Sequence, residues 1–86
     1  MLSEKEIMDI ANDYADLNKT QYCLYQLVYV RKSLFLDGYY DVCYRVMDKN
    51  GREIDAALMV AIDVRSGQVI SLEELIKIQM RMEEGH

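Results

Sequence analysis

Apolar side chains recur near the start of the chain at intervals of three and four residues, at Ile7, Ile10, Ala11, Tyr14 and Leu17. That is the period of one helical face. Ahead of them stands Ser3-Glu4-Lys5-Glu6, a capping box in which serine and the glutamate three residues on satisfy each other's backbone N–H groups. The pattern predicts a helix over about 4–18. Ser71-Leu72-Glu73-Glu74 repeats the device before Leu75, Ile76 and Met82, with Glu73 four residues ahead of Lys77, and predicts a second helix over about 72–83. Between them lie three runs rich in tyrosine and β-branched residues, about 21–34, 39–48 and 53–64, each bounded by a glycine-containing turn, and a short fourth at Val69 and Ile70. These read as strands. The order is α-β-β-β-β-α in a single domain, 1–86, with no linker or internal repeat.

The turns set an expected register, and register decides which side chains share a face. A type I turn at Asp48-Lys49-Asn50-Gly51, with Gly51 in the left-handed bulge position, sets Val46 opposite Ile54, Tyr44 opposite Ala56, Val42 opposite Leu58 and Tyr40 opposite Val60. It also sets Arg45 opposite Asp55 on the other face. The same turn at Phe35-Leu36-Asp37-Gly38 brings Val28, Val30 and Leu34 to the face of Tyr40, Tyr44 and Val46. A third at Val64-Arg65-Ser66-Gly67 sets Ile70 opposite Ile62. The even-numbered apolar positions then converge on one core, and both helices are expected to pack on that face of an antiparallel four-stranded meander, an α+β domain.

The opposite face is expected to lie open. It would carry Tyr25, Leu27, Tyr29 and Arg31, then Asp41, Cys43, Arg45 and Met47, then Glu53, Asp55, Ala57, Met59, Ala61 and Asp63. Enrichment in aromatic residues, Met and Arg marks interface cores more than solvated sheets. The expected protein-binding residues are Tyr25, Tyr29 and Met59 as anchors, with Arg31, Arg45 and Met47 around them. The same face could instead pair with its copy in a homodimer, or simply reflect the strand preference of tyrosine.

Composition narrows the chemistry. A chain of 86 residues that is 51% hydrophobic and 29% charged, with no proline, suits one globular core. Fifteen acidic against ten basic residues give a net charge of −5, which disfavours nucleic acid and membrane surfaces as partners. The amino terminus has no basic patch followed by an apolar run, and the apolar stretch 56–62 is too short to span a bilayer, so a cytoplasmic protein is expected. Cys23 and Cys43 then read as reduced thiols.

The one histidine is the last residue, His86, and no Gly-x-Ser-x-Gly or glycine-rich phosphate loop occurs, so no nucleophilic triad is expected and no enzyme. Neither a metal nor a cofactor is expected. Asp48-Lys49-Asn50-Gly51 has its glycine at the fourth position where a calcium loop needs the sixth. Glu6, Asp9, Asp13 and Asp16 form an acidic stripe on the first helix, the ordinary pattern of a solvated face. A small-molecule site between sheet and helices ranks last.

Residues 57–69, A-L-M-V-A-I-D-V-R-S-G-Q-V, resemble the closing hairpin of PepSY-like domains and of small cystatin-like bacterial immunity proteins. There an apolar strand ending in Asp-Val runs through a polar-Gly turn into a short strand. The resemblance implies a small bacterial or phage-encoded inhibitor that neutralises another protein without a cofactor.

Overall fold

The computed structural model describes residues 1–54 and 57–84. Helix α1 spans Glu4–Asn18, strands β1 Cys23–Lys32, β2 Tyr39–Asp48, β3 Leu58–Asp63 and β4 Val69–Ser71, and helix α2 Leu72–Glu84. The strands form one antiparallel sheet in the order β1-β2-β3-β4. The expected α+β order is therefore the observed one. Both helix starts are capped as their sequences predict: Ser3 Oγ accepts from the Glu6 N–H while Glu6 Oε1 accepts from the Ser3 N–H, each at 3.2 Å. Ser71 Oγ accepts from the Glu74 N–H at 3.1 Å.

Pairing of β2 with β3 begins as expected and then slips. Beside the turn, the Gly51 N–H reaches the Asp48 carbonyl at 3.1 Å with Gly51 at φ 83°, and the Ile54 N–H reaches the Val46 carbonyl at 3.1 Å. Farther on, Tyr44 faces Leu58, Val42 faces Val60 and Tyr40 faces Ile62, each partner two residues later than predicted. The register thus advances by two residues between the Val46–Ile54 and Tyr44–Leu58 contacts, and β3 starts at Leu58 instead of near 53. An even slip preserves the faces. The expected partners Ala56 and Asp55 lie outside the described residues.

Odd slips have larger effects. A bulge between Leu27 and Tyr29 inverts the alternation of β1, so that Val30 faces Val42 while Leu27 faces Tyr44 and Tyr25 faces Val46. Tyr25 and Leu27 therefore turn onto the core side, not the open side, and Val28 and Leu34 are exposed. At the next hairpin Val64 leaves the ladder, donating to the Gly38 carbonyl at 3.0 Å and accepting from the Leu2 N–H at 2.8 Å. The ladder consequently closes through the Asp63 N–H to the Gln68 carbonyl at 3.0 Å, and Val69, not Ile70, lies opposite Ile62.

The main core joins Ile7 and Ala11 of α1 to Val42, Tyr44, Val60, Ile62 and Val64. The Tyr44 hydroxyl donates to the Ala11 carbonyl at 2.6 Å inside it. Gly67, at φ 75°, brings the β3–β4 hairpin against α1: a Cβ there would stand 3.0 Å from Ile10 Cδ1. That side of the sheet is thus occupied by α1 and the hairpin, and α2 adds nothing to this cluster. Helix α2 instead packs on β3 and β4 and buries Leu75 outside the cluster. Asp41, Cys43 and Ala61, which alternate with the core residues and so point to the second face, are also buried. Helix α2 lies on that face, since its Ile78 and Met82 line one cavity with Tyr39 and Asp63, which share the parity of Asp41, Cys43 and Ala61, and the central strands lie between the two helices. This corrects the expectation that both helices share one face. The physical reason is occupancy: α1 and the β3–β4 hairpin already fill the first side, and α2, which follows β4 with no intervening residue, takes the other.

Candidate protein-binding surface

The second face is divided. Helix α2 packs on β3 and β4, whereas Leu24, Gln26 and Arg45 of β1 and β2 are exposed. Rows across the sheet bring Leu24 beside Met47, Gln26 beside Arg45, Tyr29 beside Cys43 and Met59, and Arg31 beside Asp41 and Ala61. Five of the six expected binding residues, Tyr29, Arg31, Arg45, Met47 and Met59, therefore share this face. Tyr25 does not, because the bulge turns it toward α1, where its ring meets that of Tyr44 edge-on at 6.4 Å between centroids. Leu24 and Gln26 stand in its place, an exchange for which the alternation of residues along β1 carries no signal.

Two contacts hold the charged members. The Arg31 guanidinium lies 4.5 Å from the centre of the Tyr29 ring, a cation–π arrangement that keeps the cation above an aromatic face. Arg45 Nε stands 2.7 Å from Glu53 Oε1 with both side chains largely exposed, a pair that contributes little stability but fixes the guanidinium's position. Met47 and Met59 are half-buried. The result is a band of apolar surface framed by two arginines.

Asp41 is the departure that sequence reasoning missed. It was expected on the open face, yet it is 2% exposed, and neither carboxylate oxygen has a hydrogen-bond partner among the described residues. Its neighbour Arg31 is engaged over Tyr29. The other acidic residues expected on that face are dispersed: Glu53 pairs with Arg45, Asp63 Oδ1 accepts from the Arg65 N–H at 2.8 Å, and Asp55 lies outside the described residues. Asp48 Oδ1 is likewise used within its own turn, accepting from the Asn50 and Arg52 N–H groups at 2.8 and 2.9 Å. Among the described residues no group of three or more His, Cys, Asp or Glu could hold a metal ion.

Both cysteines are free thiols. Cys23 lies opposite Asp48 and Cys43 opposite Tyr29, so they sit at separate points along β2 and on opposite faces. The acidic stripe Glu6, Asp9, Asp13 and Asp16 is exposed throughout. Among the described residues, no helix is long and apolar enough to cross a membrane. No family model, curated protein or solved structure matches the chain.

Proposed function

We propose that the chain is a small cytoplasmic protein-binding module, an inhibitor or immunity-type protein, that engages another protein through the part of its second face formed by β1, β2 and Met59 of β3. The observation that carries this reading is the gathering of Tyr29, Arg31, Arg45, Met47 and Met59 on one partly covered surface, with Arg31 set over Tyr29. Aromatic, arginine and methionine side chains arranged in this way supply buried anchors and directional polar contacts at protein interfaces. The likeness of residues 57–69 to the hairpin of inhibitor-type families favours inhibition over other kinds of binding.

A partner retained by the immobilised wild-type chain should bind Tyr29→Ala and Arg45→Glu more weakly, by about 1–3 kcal/mol each if they are central anchors. The double variant Asp9→Ala, Asp13→Ala should bind as the wild type does, since those carboxylates face solvent. Sensitivity to the helix carboxylates, with indifference to Tyr29 and Arg45, would move the active surface to α1 and overturn the proposal.

A further inference from the structure

Two acceptors compete for one guanidinium on the second face. Arg31 lies directly opposite Asp41 in the β1–β2 register, where Cβ atoms stand about 4.5–5.5 Å apart and opposite charges pair across strands. Tyr29 precedes Arg31 by two residues beyond the bulge and shares its face, about 6.6–6.8 Å along the strand. One arginine side chain can reach either. In the structure the guanidinium is 4.5 Å from the centre of the Tyr29 ring, and both oxygens of Asp41, 2% exposed, have no hydrogen-bond partner among the described residues. Neighbouring cations are placed elsewhere: Arg45 pairs with Glu53 at 2.7 Å, and Lys32, opposite Tyr40, belongs to the other face.

We infer that Arg31 is a two-position latch, resting over the Tyr29 ring in the free chain and moving onto the Asp41 carboxylate when a partner's side chain takes that ring face. The inference rests on the proposed partner surface for what covers Tyr29, whereas the exchange between the two acceptors belongs to the chain alone. A ring face holds one group at a time, so an apolar side chain docking on Tyr29 displaces the cation. The same event removes water, and in the drier site an ion pair with Asp41 gains over a contact that depended on partial hydration. Breaking a buried charge's isolation is what makes such a pair favourable, since the carboxylate has already lost its own water.

The latch gives the surface a preference. A partner that covers Tyr29 with an apolar group drives Arg31 onto Asp41 and satisfies the buried charge, whereas a partner that brings a cation to the ring meets Arg31 as a like charge. The unpartnered carboxylate is thus a feature of the free chain that binding repairs.

Urea denaturation of the free chain tests the exchange. Asp41→Asn should raise the folding equilibrium constant of the wild type by about fivefold or more. In a Tyr29→Leu background, where the ring no longer holds the guanidinium and Asp41 is paired, that gain should disappear. Adding Arg31→Met to Tyr29→Leu should restore it. Equal gains in the first two backgrounds overturn the inference, as does a gain that Arg31→Met fails to restore, or a loss of stability on Asp41→Asn in the wild type. Circular dichroism confirms that Tyr29→Leu folds; should it not, the Arg31 Nε–H resonance of the otherwise unmutated chain decides, because over the ring it should lie upfield and stay there on Asp41→Asn, and a large shift on that substitution overturns the inference. None of these measurements involves a partner. Capture that tolerates Tyr29→Ala and Arg45→Glu would therefore remove the proposed surface without touching the exchange, and an absent exchange would leave the surface standing.

Discussion

On the α1 side of the sheet, Val42, Tyr44, Val60 and Ile62 close against Ile7 and Ala11, and the Tyr44 hydroxyl donates to the Ala11 carbonyl. On the α2 side the same two strands bury Asp41, Cys43 and Ala61, and the helix there has one fully buried residue, Leu75. The backbone is shared, so the contrast arises from side chains alone. The first face follows the rule that a buried polar group finds a partner, whereas the second holds a carboxylate with none among the described residues, at a cost that burial of neighbouring apolar groups must offset. Departures of that kind concentrate where a surface serves something besides stability. The second face is also where the arginines and methionines of the proposed binding surface lie.

Four measurements can break or sharpen the contrast. Ile62→Ala, deep in the α1-side core, should lose about 2–5 kcal/mol in urea denaturation; a smaller loss would mean that the first face is looser than its burial implies. Asp41→Asn should gain about 1–3 kcal/mol, because it removes a buried carboxylate that no donor among the described residues satisfies. A loss of stability on the same substitution would show that the second face partners its carboxylate after all, and the two sides would then be built alike.

Tyr44→Phe should cost about 0.5–1.5 kcal/mol through the missing hydrogen bond to Ala11. It should also alter the alkaline limb of the stability profile. Burial, and secondarily the neighbouring Tyr14, pushes the Tyr44 phenol up from 10.0 to about 12. The folded state thus favours the neutral phenol: its contribution is fully present below pH 10 and is lost as pH rises through about 12. The phenylalanine variant should lack this part of the alkaline loss, which paired denaturation curves at pH 9 and about 11.5 would reveal. Smallest is Lys77→Ala, which removes the exposed contact with Glu73 at 3.6 Å and should change the melting curve by only about 0.2–0.5 kcal/mol.

Local signals made much of this fold legible in advance. The serine–glutamate pairs at 3–6 and 71–74 mark helix starts because an N-terminal turn must satisfy its free N–H groups, a need settled within four residues. Strand order followed from short turns. The features that stayed hidden depend on distant contacts. The β1 bulge cannot be read from L-Y-Q-L-V-Y-V, since apolar residues occupy both parities and either alternation would bury a hydrophobic set. The side chosen by α2 was equally obscure, because Leu75, Ile76, Ile78, Met80 and Met82 surround the helix with apolar groups. Of the residues expected on the open face, Tyr29, Arg31, Arg45, Met47 and Met59 share one face, and Tyr25 lies on the other because of that single extra residue.

The direct join between β4 and α2 has its own consequence for how this chain can vary. Ser71 is the last residue of β4 and also caps α2, so strand and helix share one fixed point. One residue inserted there would rotate the helix relative to the strand by about 100° and advance it by about 1.5 Å, carrying Leu75 away from the sheet. Substitution at Leu72 or Ile76, which keeps that count, leaves the phase intact. The Asp48–Gly51 turn, exposed at Lys49 and Asn50, places no such rotational demand on the strand after it. Length changes should therefore be absorbed at that turn and excluded at the joint, making the second hinge of the chain a counted distance and the first an adjustable one.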